Sequence, residues 1–210
     1  VNYVVLDRDA WEEYYYSISP RLRLSDKIIL IYSWEQYFQN NGQGFAIAFG
    51  EPVEMTNEIV FGSRDLVNVT NTIDLKYTLT NRMGISFRLR HYRSSLSYNS
   101  FFDLQNDGTL LANNLTGLDA NGVSVYNTNF NAFTIDFVYR WVFRPGSEIN
   151  FVWKNAIFSD DKFVQTSYLQ NIQNMFEYSP QNSLSIKVLY WLDYQTLKKL
   201  GKKNREIREN

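Results

Sequence analysis

The sequence predicts an all-β protein: an antiparallel up-and-down transmembrane β-barrel of about eight strands, either a whole small barrel or the C-terminal portion of a larger one, with one short loop helix. Three observations predict it. Apolar and polar side chains alternate with a period of two in segment after segment. Short and long connections alternate along the chain, which gathers the short turns at one end of a meander. Aromatic residues are abundant, with Tyr 15, Phe 15 and Trp 5 making 17% of 210 residues, more rings than the interior of an ordinary domain accommodates.

The elements follow in order. Residues 1–7 are a weak first strand. In residues 14–25, Tyr14, Tyr16, Ile18, Leu22 and Leu24 alternate with polar neighbours that include Arg21 and Arg23. Residues 28–38, with Glu35, form a noisier strand. Residues 67–80 alternate Val67, Val69, Ile73, Leu75, Tyr77 and Leu79 with Asn68, Thr70, Thr72, Asp74, Lys76 and Thr78. In residues 84–92, Ile85, Phe87 and Leu89 alternate with Ser86, Arg88 and Arg90. The stretch "NAFTIDFVYRWVFRPGSEINFVWKN" (131–155) holds two strands around a Pro-Gly turn. Phe133, Ile135, Phe137, Tyr139, Trp141 and Phe143 share one parity, and Thr134, Asp136, Arg140 and Arg144 the other. The second strand, over 147–157, contributes Trp153. Residues 183–194 close the series, with Leu184, Ile186, Val188, Tyr190, Leu192 and Tyr194 against Ser185, Lys187 and Asp193. Residues 25–27, 81–84 and 144–147 carry turn chemistry. The long connections 39–65, 99–128 and 159–182 are rich in Asn, Gly, Asp and Ser. Within the last of them, Tyr168, Leu169, Ile172, Met175 and Phe176 have helical spacing, which predicts a short amphipathic helix over 166–178 packed at the barrel mouth.

Alternation alone does not say which parity faces water. A soluble barrel buries its apolar parity, and a membrane barrel turns it outward to lipid. Strands of about 11–15 residues suit a tilted bilayer crossing. Tyr14, Tyr16, Tyr77, Phe133, Phe137, Tyr139, Trp141, Phe143, Trp153, Tyr190 and Tyr194 are the expected lipid-facing aromatics, several of them near strand ends, where interfacial girdles form. The opposite parity mixes both signs of charge at mid-strand, which lipid does not tolerate and a lumen does. Arg21, Arg23, Glu35, Asp74, Lys76, Arg88, Arg90, Asp136, Arg140, Lys187 and Asp193 are therefore expected to form one lumen network, either a filled, salt-bridged interior or the lining of a wider pore. The soluble alternative, a barrel holding a small apolar ligand, stays open at this point.

Composition excludes several chemistries. Charge is balanced, Lys+Arg 21 against Asp+Glu 22, so nothing points to nucleic acid. There is no Cys and one His, which removes thiol catalysis and multi-histidine metal sites within this chain. No cofactor and no metal are expected. No apolar run approaches the roughly 20 residues of a transmembrane helix. The chain opens on Val1 without a leader, which reads as a mature, processed or partial protein. Residues 1–197 are assigned to the barrel region and 198–210 to a charged tail.

No catalytic residue is assigned. His91 stands on the outward parity and is expected to be an interfacial structural residue. Ser94 and Ser95 lie near it in sequence, but spacing along a strand makes no nucleophile–base pair, and there is no Gly-x-Ser-x-Gly elbow. Asp103, Asp107, Asp119, Asp160 and Asp161 are loop carboxylates without the placement glycoside hydrolysis needs. "DLQNDGTL" (103–110) is a poor calcium loop, lacking a terminal bidentate Glu. A hydrolase acting on lipid or glycan through the long loops remains the enzymatic alternative.

The stretches "NFNAFTIDFVYRWVFRPGSEINFVWKN" (129–155), "SPRLRLSDK" (19–27), "FGSRDLVNVTNTI" (61–73), "FRLRHYRSSLSYNSFFDLQNDGTL" (87–110) and "NSLSIKVLYWLDY" (182–194) resemble, in order, the proteins carrying domain of unknown function 5916. The resemblance implies a Gram-negative outer-membrane protein with a C-terminal barrel, usually preceded by a module similar to family-9 carbohydrate-binding domains, which this sequence does not contain. It supplies no catalytic residues. The partners it implies are outer-membrane lipid, other outer-membrane proteins, and a glycan through the module.

Overall fold

The computed structural model describes residues 2–8, 11–46, 60–164, 167–192 and 194–195. Alternating sequences become strands throughout: β1 Asn2–Arg8, β2 Trp11–Ile18, β3 Arg21–Arg23, β4 Ile28–Phe45, β5 Val60–Thr80, β6 Met83–Leu104, β7 Leu110–Ala112, β8 Thr128–Arg144, β9 Ser147–Asp161 and β10 Gln181–Leu189. The helix α1 spans Tyr168–Met175. Eight strands form one antiparallel meander in the order β1-β2-β4-β5-β6-β8-β9-β10, with β3 beside β4 and β7 beside β6. Among the described residues β1 and β10 do not pair, so the sheet is open.

Several boundaries differ from the expected ones, each for a local reason. The segment expected as one strand over 14–25 is broken by Ser19 and Pro20, because proline has no N–H to give the ladder; the chain resumes as β3, and Pro20 O accepts from Tyr32 N at 3.2 Å. The central strands are longer than expected, with 21 residues in β5 and 22 in β6. At about 3.4 Å per residue they are about twice the length of the 9–11 residues that a tilted crossing needs. β4 runs on past a bulge between Gln39 and Gly42 and pairs with β5 as far as Phe45; in the bulge Asn41 takes φ 55°, a conformation Asn tolerates well, and its N–H donates to Asp65 Oδ1 at 2.8 Å. β10 stops at Leu189, so Tyr190 and Tyr194 lie past the strand; Asp193 and the tail 198–210 lie outside the described residues.

The short connections are tight. Arg82 N bonds Thr80 Oγ1 at 3.2 Å between β5 and β6. Pro145 and Gly146 link β8 to β9, and Gly146 adopts φ 75°, which favours glycine. A Cβ there would also stand 2.9 Å from Trp191 Cβ.

The sheet is a single layer over most of its height. Among the described residues the buried apolar side chains are Ala46, Val69, Phe101, Ile157 and Met175. Among the described residues α1 is the helix laid on it, and Phe101 packs with Tyr98 of β6 and with Tyr126 of the loop between β7 and β8. No helix among the described residues is long and apolar enough to cross a membrane.

Candidate functional site

Cross-strand partners share a face, so the register builds each face row by row. Leu30, Leu75, Phe87, Phe137, Trp153 and Leu184 are successive partners across six strands. The next row toward the short turns is Ile28, Tyr77, Ile85, Tyr139, Phe151 and Ile186, followed by Met83, Trp141, Ile149 and Val188. Toward the long loops come Tyr32, Ile73, Leu89 and Ile135, then Trp34, Asn71, His91, Phe133 and Ile157. The result is a continuous apolar belt. It holds Tyr77, Phe137, Tyr139, Trp141 and Trp153 directly; Tyr14 and Tyr16 continue the same face on β2 through Phe38 and Gln36. Phe143 meets Trp141 and stacks on Tyr190, Phe133 sits at the belt's upper margin, and Tyr194 is exposed beyond the strand. Across the belt's lower rows the described residues place no second layer.

The other face carries the charges. Asp74, Arg88, Asp136 and Lys154 are consecutive partners in one row, alternating in sign across four strands. Arg88 Nε donates to Asp74 Oδ1 at 2.6 Å, and Lys154 Nζ reaches Asp136 Oδ1 at 3.3 Å. Toward the turns, Arg140 is held by Glu148, with Nε to Oε2 at 2.8 Å. Lys187 is in the row of Arg140 and Asn150, Lys76 opposite Ser86, and Arg90 opposite Thr72. Arg21 and Arg23 stand opposite Ile31 and Ile29 on this face, with Arg23 turned to Asp26 at 2.9 Å. Glu35 faces Ser17 and Thr70. Every expected network residue within the described range thus shares one face, but the pairs form a ladder and a few local bridges, with Lys154 and Glu148 as members the sequence reading missed.

Above the belt the first face changes character. Here β6 presents His91, Arg93 and Ser95, β8 presents Asn131 and Asn129, and β9 presents Ser159 and Asp161. All but Asp161 are buried. α1 covers them. Ser167 caps it, accepting from Gln170 N at 3.4 Å, and Asn171 inserts its amide between two strand asparagines. Asn171 Oδ1 accepts from Asn129 Nδ2 at 2.7 Å and from Asn131 Nδ2 at 3.3 Å, while its own Nδ2 donates back to Asn131. Asn131 also bonds Ser159 Oγ at 3.2 Å. At the helix start the Tyr168 hydroxyl accepts from Asn71 Nδ2 at 2.7 Å and shares a hydrogen bond with His91 Nδ1 at 2.7 Å; Tyr32 completes the chain by donating to Asn71 Oδ1 at 2.7 Å. Burial pushes the Tyr168 hydroxyl pKa up, with the Asn71 bond pulling it down. Burial likewise pushes the Asp161 carboxyl up against the bonds it accepts from Phe163 N and Asn129. The helix thus lies flat on the belt-side face, where it was expected at the mouth. His91 is gripped by Tyr168, and neither Ser94 nor Ser95 is bonded to it.

The remaining candidates are structural in their contacts. Asp103 Oδ1 accepts from Asn113 Nδ2 at 2.6 Å, and Asp107 Oδ1 from Thr109 Oγ1 at 2.7 Å. Asp119 takes the amides of Asn121 and Val123. These bonds hold the Asp107 and Asp119 carboxyls below their usual range. No group of acidic or His side chains among the described residues is placed to hold a metal. The asparagine cluster went unread in the sequence, although polar Asn129 and Asn131 on the apolar parity of β8 were a visible signal.

The chain matches no curated protein and no solved structure. A family model does match it, over residues 1–201, covering both faces, the belt and the clamped helix. The chain belongs to the family described as domain of unknown function (DUF5916).

Proposed function

We propose that this chain is a membrane-spanning β-barrel region of a bacterial outer-membrane protein, acting as an anchor or as a transport or assembly component. The observation that carries the reading is the belt: several rows of Leu, Ile, Phe, Tyr and Trp with no protein layer over them, backed by a face of paired charges. In water such a belt, with Leu184, Ile186 and Val188 each more than half exposed, would be an aggregation surface. In lipid it is the solvent-matched wall, and the charged face becomes the lumen. The residue sets named above as lipid-facing and lumen-facing follow from that orientation.

Within this reading the Asp74–Arg88–Asp136–Lys154 row favours a filled interior over a selective pore, because charges that neutralise one another across neighbouring strands leave little net field for a passing ion. Glycan association belongs to the carbohydrate-binding module that the family resemblance implies, not to any surface described above.

The test is reconstitution. Purified protein is expected to float with lipid vesicles after carbonate washing and to give no stepwise conductance in planar bilayers. A monodisperse protein that stays soluble without detergent and leaves vesicles unbound would overturn the membrane reading. Large conductance steps would replace the filled interior with an open one.

A further inference from the structure

We infer that α1 is an interfacial helix, seated in the headgroup–acyl boundary of the bilayer on the outer wall of the sheet. The inference rests on the membrane reading and adds a lipid contact made by a loop.

Position is the first observation. α1 crosses the strands. Its first residue, Tyr168, reaches Asn71 on β5 and His91 on β6, Asn171 engages β8, and the helix also contacts β9. A helix laid across strands at the upper margin of the belt runs along the direction of the rows, roughly in the plane a membrane surface would occupy.

Polarity is the second observation, and it is independent of the first. The sheet-facing side of α1 is Tyr168, Asn171 and Met175. Of its two flanks, one carries Leu169, Ile172 and Phe176, at the i, i+3, i+7 spacing of a helical stripe, and the other carries Gln170 and Asn174. Contacts show which flank faces which way. Phe176 meets Phe133, in the belt's top row, with ring centroids 5.1 Å apart. On the other side Asn171 reaches Asn131 and Asn129, in successive rows above the belt. The apolar flank is therefore turned toward the belt and the amide flank toward the loops. Leu169 is 72% and Phe176 53% exposed, so the stripe continues the belt's apolar surface outward with no protein over it. Amphipathic helices of this kind bury their apolar side about 5–10 Å into the boundary region.

The third observation is the anchoring. The asparagine cluster fixes the helix's rotation about its own axis, because turning it would strand the buried Asn129 and Asn131 amides. A rotation held this firmly keeps the Leu169–Phe176 flank on one side.

The chain contains no cysteine, so single-Cys spin labels report without background. Four positions are labelled in the vesicle-reconstituted full chain: Phe87→Cys in the belt, Leu169→Cys on the apolar flank, Asn174→Cys on the polar flank, and Asp119→Cys in a loop. Accessibility to oxygen is compared with accessibility to a water-soluble nickel chelate. The inference expects oxygen to dominate at 87, to exceed the chelate by a smaller ratio at 169, and the chelate to dominate at 174 and 119. Chelate dominance at 169 together with oxygen dominance at 87 would overturn the interfacial helix while leaving the membrane barrel intact. Chelate dominance at 87 as well would overturn both. Oxygen dominance at 169 and 174 alike would mean immersion without the predicted orientation and would also overturn it. Leu169→Trp in a chain whose five native tryptophans are replaced by phenylalanine, read by quenching with brominated lipid, gives the same decision from a side chain closer in size to the native one, with loss of at least half its emission expected.

Discussion

Removing the Asn171 amide leaves two buried strand asparagines without their shared partner. Asn171→Ala is expected to cost about 2–3 kcal/mol of local stability, since each orphaned buried group carries a desolvation penalty. The loss should be confined to the loop: faster hydrogen exchange over 167–176 and earlier proteolysis there, with exchange in β5 and β6 unchanged. Asp161 permits a test by pH. Burial raises its folded-state pKa above the unfolded value, so the folded state holds the proton more tightly and the carboxylate opposes folding once ionised. Stability of this corner is therefore greatest below the unfolded pKa and declines as pH rises through the folded one. Asp161→Asn keeps an acceptor for Phe163 N and should flatten that decline, measured as exchange at the Phe163 amide between pH 4 and 7; Asp160 and Arg93 also bear on this carboxyl, and both remain in the variant.

At the scale of elements, the charged row sets the alignment of strands. A slip of one residue between β6 and β8 would move Arg88 from Asp136 to an apolar partner and turn the belt residues inward. Asp136→Asn should cost little, about 0.5 kcal/mol, because the ladder is solvent-reached. Asp136→Arg places positive charges side by side across three strands and should cost about 1–2 kcal/mol, with the excess shrinking in high salt; urea midpoints of the two variants in vesicles decide it. This level of structure was largely legible in the sequence, since parity alone sorts Phe87 from Arg88 and Phe137 from Asp136. Strand ends were not. The outer parts of β6 and β8 carry Arg93, Ser95, Asn131 and Asn129 on the parity that had been apolar, and period-two reading loses its contrast there. The clamp between α1 and the sheet was legible only in part: Asn129 and Asn131 stand out on the apolar parity of β8, but their meeting with Asn171, and that of Asn71 with Tyr168, is set by register and by the loop, and no local pattern encodes that.

For the whole molecule, the two faces should respond oppositely to the same substitution. Phe87→Lys, at the middle of the belt, is expected to weaken the inserted state by about 2–4 kcal/mol. Ser86→Lys, one position away on the charged face, should change it by less than about 1 kcal/mol. Equal penalties would mean that both faces meet the same medium, which no barrel in a bilayer allows. Denaturant titration of vesicle-bound protein measures the pair.

The open side of β10 adds a constraint on how such a molecule comes to be. Nine residues, Gln181–Leu189, pair with β9 along one edge and, among the described residues, with nothing along the other. Hydrocarbon offers no hydrogen bonds, and each bare amide left in it costs several kcal/mol. A bilayer would therefore reject this strand until its second edge is satisfied. If the proposed membrane reading holds, strand pairing and membrane entry are one step: the seam is sealed as the wall goes in, and β10 is kept hydrogen-bonded up to that moment.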